Sequence, residues 1–189
     1  MTDIRAFLAI EMSAAAQAGL RRLQERLRRD ERGIRWIPVE QLHLTVKFLG
    51  SVPTKLLPDL FTTLTRIAAS CEPFDLQFGG AGCLPPHGPV RIVWAGLDES
   101  TGRLAAFQTR CETELAQLGF AAETRAFTPH ITIARVKDHL LAREIRARVA
   151  SHPAPSRLAM SVSEFVLFES QLSPKGPTYV PLSRHKLGP

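Results

Sequence analysis

The 189 residues predict an α+β fold in which most strands pair antiparallel. Three observations predict it. Strand-like and helix-like segments alternate irregularly, with several direct strand-to-strand steps, which is not the pattern of a doubly wound parallel sheet. No linker is long enough to separate independent domains, so residues 1–189 read as a single domain. Finally, two segments, one in each half, match each other: Leu42-His43-Leu44-Thr45-Val46 and Pro129-His130-Ile131-Thr132-Ile133. Both read His, aliphatic, Thr, aliphatic.

Taken in order, Arg5–Ile10 is a nearly continuous apolar run and predicts a central strand. Ser13 then offers an N-cap for a helix over Ala14–Arg29, with Leu20, Leu23 and Leu27 at helical spacing and Gly33 as its stop. Ile34–Pro38 is extended, and Leu42–Leu49 is a strong strand. A second helix is expected over Pro53–Ala69, striped by Leu56, Leu57, Leu60, Leu64 and Ile67. Phe74–Phe78 alternates as a half-exposed strand. The glycine-rich stretch Gly79–Cys83 is expected to be a loop, and no GK[ST] follows to make it a phosphate cradle. Val90–Ala95 is a strand, Ser100–Leu118 a third helix ended by Gly119, and Phe127–Arg135 a strand. Asp138–Ala150 predicts a fourth helix, broken by Pro153 and Pro155. Met160–Phe168 and Thr178–Leu182 are the last two strands, joined at Lys175-Gly176-Pro177 by a hairpin turn.

Composition narrows the class. A 44% hydrophobic and 22% charged chain is ordinary for a soluble globular protein. No apolar stretch is long enough for a membrane helix, and Glu11 interrupts the N-terminal apolar run too early for a secretory signal. A cytoplasmic location and no membrane partner are therefore expected, with a monomer as the default state. Three cysteines without CxxC spacing argue against disulfides and zinc and read as buried free thiols. No HExxH and no acidic cluster calls for a metal, and no cofactor is expected. The net charge of +6 favours a polyanionic partner such as nucleic acid.

The paired segments carry the chemistry. In a strand, residues i and i+2 share a face, so each segment shows a His and a Thr on one face and aliphatics on the other. Two imidazoles around one substrate supply what one-base, one-acid chemistry needs near neutral pH. The threonine hydroxyls, Thr45 and Thr132, suit phosphate oxygens. Arg135 closes the second segment as a charge clamp. Strict alternation, however, puts it on the face opposite His130 unless a bulge or strand end intervenes. Lys47 has the correct parity to be its counterpart in the first segment. Phe48 or Trp36 could stack a nucleobase, although core packing is the ordinary role for either. His87, His139, His152 and His185 belong to no repeat and read as surface histidines.

Arg5–Ile10, Leu42–Gly50 and Pro129–Arg135, with Phe168–Leu172, Gly176 and Tyr179 near the end, resemble the two-histidine phosphoesterases. The subgroup most resembled is the bacterial and archaeal RNA 2′,3′-cyclic phosphodiesterases, also called 2′-5′ RNA ligase-like proteins. The resemblance spans almost the whole chain. It implies two pseudo-symmetric lobes, each a largely antiparallel sheet with helices outside, around a central cleft. It implies metal-independent hydrolysis of 2′,3′-cyclic phosphate RNA ends or cyclic nucleotides to 2′-phosphomonoesters, with reversible 2′-5′ ligation as a family trait. The two halves read alike, so the residues themselves do not divide the roles; the resemblance implies His130 as base and His43 as acid. Substrate contacts are expected from Thr45, Thr132, Arg135, Lys47 and Phe48. Other readings are a non-catalytic module that binds RNA ends or nucleotides, and a phosphodiesterase for 2′-5′ linkages.

Overall fold

The structure, a computed structural model, describes residues 2–29, 32–152, 158–174 and 176–188. In chain order these form β1 (Asp3–Glu11), α1 (Ala14–Leu27), β2 (Ile34–Trp36), β3 (His43–Pro53), α2 (Leu57–Ala69), β4 (Phe74–Leu84), β5 (Ile92–Asp98), α3 (Arg103–Ala116), β6 (His130–Val136), α4 (Ala142–Ser151), β7 (Ala159–Val162), β8 (Glu164–Ser173) and β9 (Gly176–Lys186). The strands make two sheets, β3-β1-β8-β9 and β2-β6-β5-β4-β7, and every pairing is antiparallel. The α+β expectation and the central place of β1 are both met. The prolines expected to break the chain after α4, and Lys175 of the expected hairpin turn, lie outside the described residues.

The lobes are not the two halves of the chain. The first sheet takes β1 and β3 from the N-terminal half and β8 and β9 from the C-terminal end. α2 packs on β9 and α3 on β3, covering that sheet, while α4 packs on β4 and α1 on β7, covering the other. Residues of both sheets join one contiguous apolar core. Ser13 caps α1 as expected, accepting from the Ala16 amide. The helix stops at Leu27 with an extended Arg28, and Gly33 instead serves the turn into β2 at φ +105°.

Two expectations are corrected. The glycine-rich stretch is not a loop: it continues β4 to Leu84, with a bulge where Phe78 and Ala81 face Leu97 and Ala95. Glycine serves close approach here: a Cβ on Gly82 would sit 2.3 Å from the Trp94 ring, and one on Gly96 of the paired strand β5 would sit 2.1 Å from the Gly79 carbonyl oxygen. Met160–Phe168 is two strands rather than one. β7 pairs with β4 in one sheet, and after Ser163 the chain crosses to the other sheet as β8, between β1 and β9. The consecutive polar residues Ser163 and Glu164 mark the crossing.

Candidate active site

β3 and β6 come within 8 Å of each other at Cα, one from each sheet, and bring the matching segments together. His43 stands opposite Glu11 and Thr45 opposite Ala9; His130 stands opposite Gly96 and Thr132 opposite Trp94. The His–Thr pairs therefore face the cleft and their aliphatic neighbours face the core. The hydroxyls of Thr45 and Thr132 have no hydrogen-bond partner among the described residues.

The imidazoles are held alike. His43 Nδ1 lies 2.7 Å from the Gln41 carbonyl oxygen, and His130 Nδ1 lies 2.8 Å from that of Thr128. A carbonyl only accepts, so each Nδ1 carries the proton. Each Nε2 is left as the atom at which a proton comes and goes. Their housings differ. The His43 ring packs 5.0 Å from Phe7 and edge-on at 5.1 Å to Tyr179. Burial there pushes its pKa below the usual imidazole value; the Gln41 carbonyl opposes this, the Arg135 charge adds to it and Glu11 opposes it. Arg184 in turn pairs with Glu11.

Both strands carry a bulge one residue after the threonine. In β3, Thr45 and Lys47 face the consecutive residues Ala9 and Leu8, leaving Val46 as the extra residue. In β6, Thr132 and Ala134 face Trp94 and Val93, leaving Ile133 extra. The bulge reverses side-chain parity beyond it. Arg135 thus joins the His130 face, as a bulge was required for it to do. Gln24, buried on α1, supports the β6 bulge by donating its side-chain amide to the Ile133 carbonyl at 2.9 Å and the Ile37 carbonyl at 2.8 Å.

The same logic overturns the parity argument for Lys47. The bulge turns it to the core side, where its side chain is 2% exposed and its Nζ donates to Glu112 Oε2 of α3 and, at 2.8 Å, to the Ala121 carbonyl. Lys47 is a buried tie beneath the loop leading to His130, not the cleft counterpart of Arg135. That counterpart by position is Phe48, opposite Phe7 and 67% exposed on the cleft face. The core-packing role therefore fails for Phe48. It stands for Trp36, which is partly buried against the core.

A cavity of about 530 Å³ lies beside His130, lined by Thr45, Phe48, Leu84, Phe127 and the loop through Ala121–Arg125. Glu112 secures that loop by accepting from the Glu123 amide at 3.1 Å. Around His43, Phe7 and Tyr179 join Ala9, Val166 and Phe168 in a separate apolar cluster. His185, read as a surface residue, is instead buried, stacked on Phe165 and bonded to Ser183 and Thr65. Cys111 is buried and Cys71 and Cys83 half-buried, all three free.

Two sheets that each lend a His-x-Thr strand to one cleft define the class structurally, and comparison with known proteins agrees. The chain belongs to the 2′-5′ RNA ligase superfamily, whose family model matches residues 10–173. It is 34% identical to a Thermus thermophilus protein named RNA 2′,3′-cyclic phosphodiesterase, over 97% of this chain and 90% of that one. A Methanothermobacter thermautotrophicus protein of the same name is 29% identical over 97% and 99%. Among solved structures, E. coli LigT in apo form superposes with a TM-score of 0.83 at 26% identity over the full length of both chains. LigT complexed with 3′-AMP gives 0.81, covering 98% of this chain and 99% of that one. No helix of the described residues is long and apolar enough to cross a membrane.

Proposed function

We propose that this chain is an RNA 2′,3′-cyclic phosphodiesterase that opens cyclic phosphate ends to 2′-phosphomonoesters, the two histidines supplying both proton transfers. The observation that carries this reading is the matched pair of imidazoles, each fixed through Nδ1 on a main-chain carbonyl two residues upstream. The relatives' shared name supports the substrate class. LigT's complex with 3′-AMP supports a nucleotide in this cleft.

In the proposed reaction His130 Nε2 takes a proton from water as its oxygen bonds to phosphorus. The bond from phosphorus to O3′ breaks in line with this attack, and the His43 imidazolium gives its Nε2 proton to O3′. The product is a 2′-phosphomonoester beside a free 3′-hydroxyl. Thr45, Thr132 and Arg135 hold the non-bridging oxygens, whose charge is thereby countered. Phe48 offers a face for a nucleobase at the rim of the cavity. With a 5′-hydroxyl in place of water, the same geometry joins two RNA ends through a 2′-5′ linkage, as the superfamily's name implies. The two lobes act as one unit, because each contributes one histidine.

The test is incubation with a 2′,3′-cyclic nucleotide in the presence of a chelator. The expected product is the 2′-phosphate, formed at an undiminished rate. His43→Ala and His130→Ala should each lose roughly 10²–10⁴-fold in kcat, and the double variant should lose much less than the product of the two. Binding of the nucleotide without turnover would favour the non-catalytic module, and loss of activity with chelator would overturn the metal-free mechanism.

A further inference from the structure

Arg35 belongs to neither matched segment, yet the fold sets it beside the site. β2 pairs with β6 so that Arg35 stands directly opposite Arg135. Directly opposed residues project from one face of a sheet, with Cβ atoms about 4.5–5.5 Å apart. The β6 bulge has turned Arg135 to the cleft side, so Arg35 projects there as well. The Arg135 charge reaches His43, which places this end of the face at the histidines.

Like charges directly opposed cost stability. Elsewhere in the molecule the exposed guanidiniums of Arg66, Arg103, Arg125 and Arg184 each hold a glutamate. Among the described residues neither Arg35 nor Arg135 has such a partner. The Arg35 side chain is also confined. It crosses to the other sheet and lies on bare backbone at Gly176, where a Cβ would sit 1.8 Å from Arg35 Nη2. Two guanidiniums on adjacent strands, sharing a face and lacking a carboxylate, form a site for an anion.

We propose that Arg35 works with Arg135 to hold a second phosphate of the substrate, the phosphodiester linking the cyclic-ended nucleotide to its 5′ neighbour. This rests on the proposed function. The reacting phosphate between the two Nε2 atoms engages the threonines and Arg135, and Arg35 remains for the next phosphate along the chain. In the cavity beside His130, Phe48, Leu84 and Phe127 offer apolar surface for a base, and Arg35 is not among the residues that line it. A cyclic mononucleotide leaves Arg35 without a partner; an RNA end does not. The cleft therefore favours RNA ends over free cyclic nucleotides.

The test compares kcat/KM on a 2′,3′-cyclic mononucleotide and on a trinucleotide with the same cyclic end. It uses wild type, Arg35→Gln and the control Arg21→Gln, a surface change on α1. Wild type and the control should favour the trinucleotide. Arg35→Gln should cut the trinucleotide-to-mononucleotide ratio roughly tenfold, the scale of one charge-assisted hydrogen bond. It should also make the salt dependence on the trinucleotide shallower by about 0.7 in log–log slope. An unchanged ratio in Arg35→Gln, or equal rates on both substrates in wild type, overturns the proposal. If wild type turns over neither substrate, the functional reading has failed, and titration with the 2′-phosphorylated trinucleotide and mononucleotide decides this one. Loss of the affinity ratio in Arg35→Gln then supports the second site, and an unaltered ratio refutes it.

Discussion

His43 and His130 share one hydrogen-bond arrangement but not one environment, and the difference has a measurable consequence. His43 is walled by Phe7 and Tyr179, and that burial holds its pKa below the usual imidazole value. If His43 is the acid, it works only while protonated. The basic limb of kcat/KM on a cyclic nucleotide should then fall below pH about 6.5, the ordinary imidazole value. If His43 is the base, the low pKa instead keeps it competent into acid, so the acidic limb moves down. A pH profile of wild type thus assigns the roles that the matching segments leave open. Phe48 gives a second residue-level expectation. Its ring is largely exposed, so Phe48→Ala should leave unfolding in urea nearly unchanged. It should raise KM on a cyclic nucleotide about tenfold with little change in kcat, as loss of one stacking contact does. A loss confined to kcat would remove the ring from base binding. Gln24 acts at one remove from the cleft. Gln24→Leu strands the Ile37 carbonyl and leaves the Ile133 carbonyl with the Ile37 amide alone, and should cost about 1–3 kcal/mol in urea unfolding.

At the scale of the element, the deciding feature is the bulge that each motif strand carries one residue past its threonine. It sends Lys47 inward, where it meets Glu112 and the Ala121 carbonyl. Lys47→Met would leave the Glu112 carboxylate, 15% exposed, without its cation, at a cost of about 3 kcal/mol. The double variant Lys47→Met, Glu112→Leu should regain most of that stability, because a buried pair is often replaceable by apolar groups. It also loses the ties to Ala121 and Glu123, so the cavity wall loosens and KM should stay several-fold raised. Urea unfolding with kinetics on the same samples checks this; recovery of KM together with stability would reduce the pair to a structural role. The strands themselves were legible, since His-x-Thr between aliphatics announces a face at period two. The bulges were not, because period two is the assumption they break. Their trace is a pair of consecutive core-facing residues, Val46-Lys47 and Ile133-Ala134, and a lysine in one pair masks it. Phe48 and Arg135 occupy the same place after their bulges, so the asymmetry between the two segments is aromatic against cationic rather than lysine against arginine. The glycines of β4 misled for a related reason: Gly82 is demanded by the approach of the Trp94 ring, and the Gly79 carbonyl lies against Gly96 of β5, which only the assembled sheet reveals.

Across the whole molecule, the chain interleaves its lobes: β1 and β3 close a sheet with β8 and β9, and both sheets feed one core. Neither half of the chain contains a whole lobe, so urea unfolding should follow a single cooperative transition by fluorescence and far-UV dichroism. The buried histidines make that transition depend on pH. His185 sits under α2, bonded to Thr65 and Ser183, and burial lowers its pKa as it does that of His43. In the unfolded chain both titrate near 6.5. A folded-state pKa below the unfolded one means that the unfolded chain binds more protons in the interval between them. The stability these groups contribute is therefore complete above pH about 6.5 and is lost as pH falls through their folded-state values. Unfolding free energies at pH 7.5, 6.5 and 5.5 should decline in that order. His185→Gln retains a polar group against Ser183 and Thr65 but does not titrate, so its decline should be shallower than that of wild type. An equal slope in the two proteins would show that His185 takes up its proton without cost to the fold and would leave the acid sensitivity to His43 and the carboxylates.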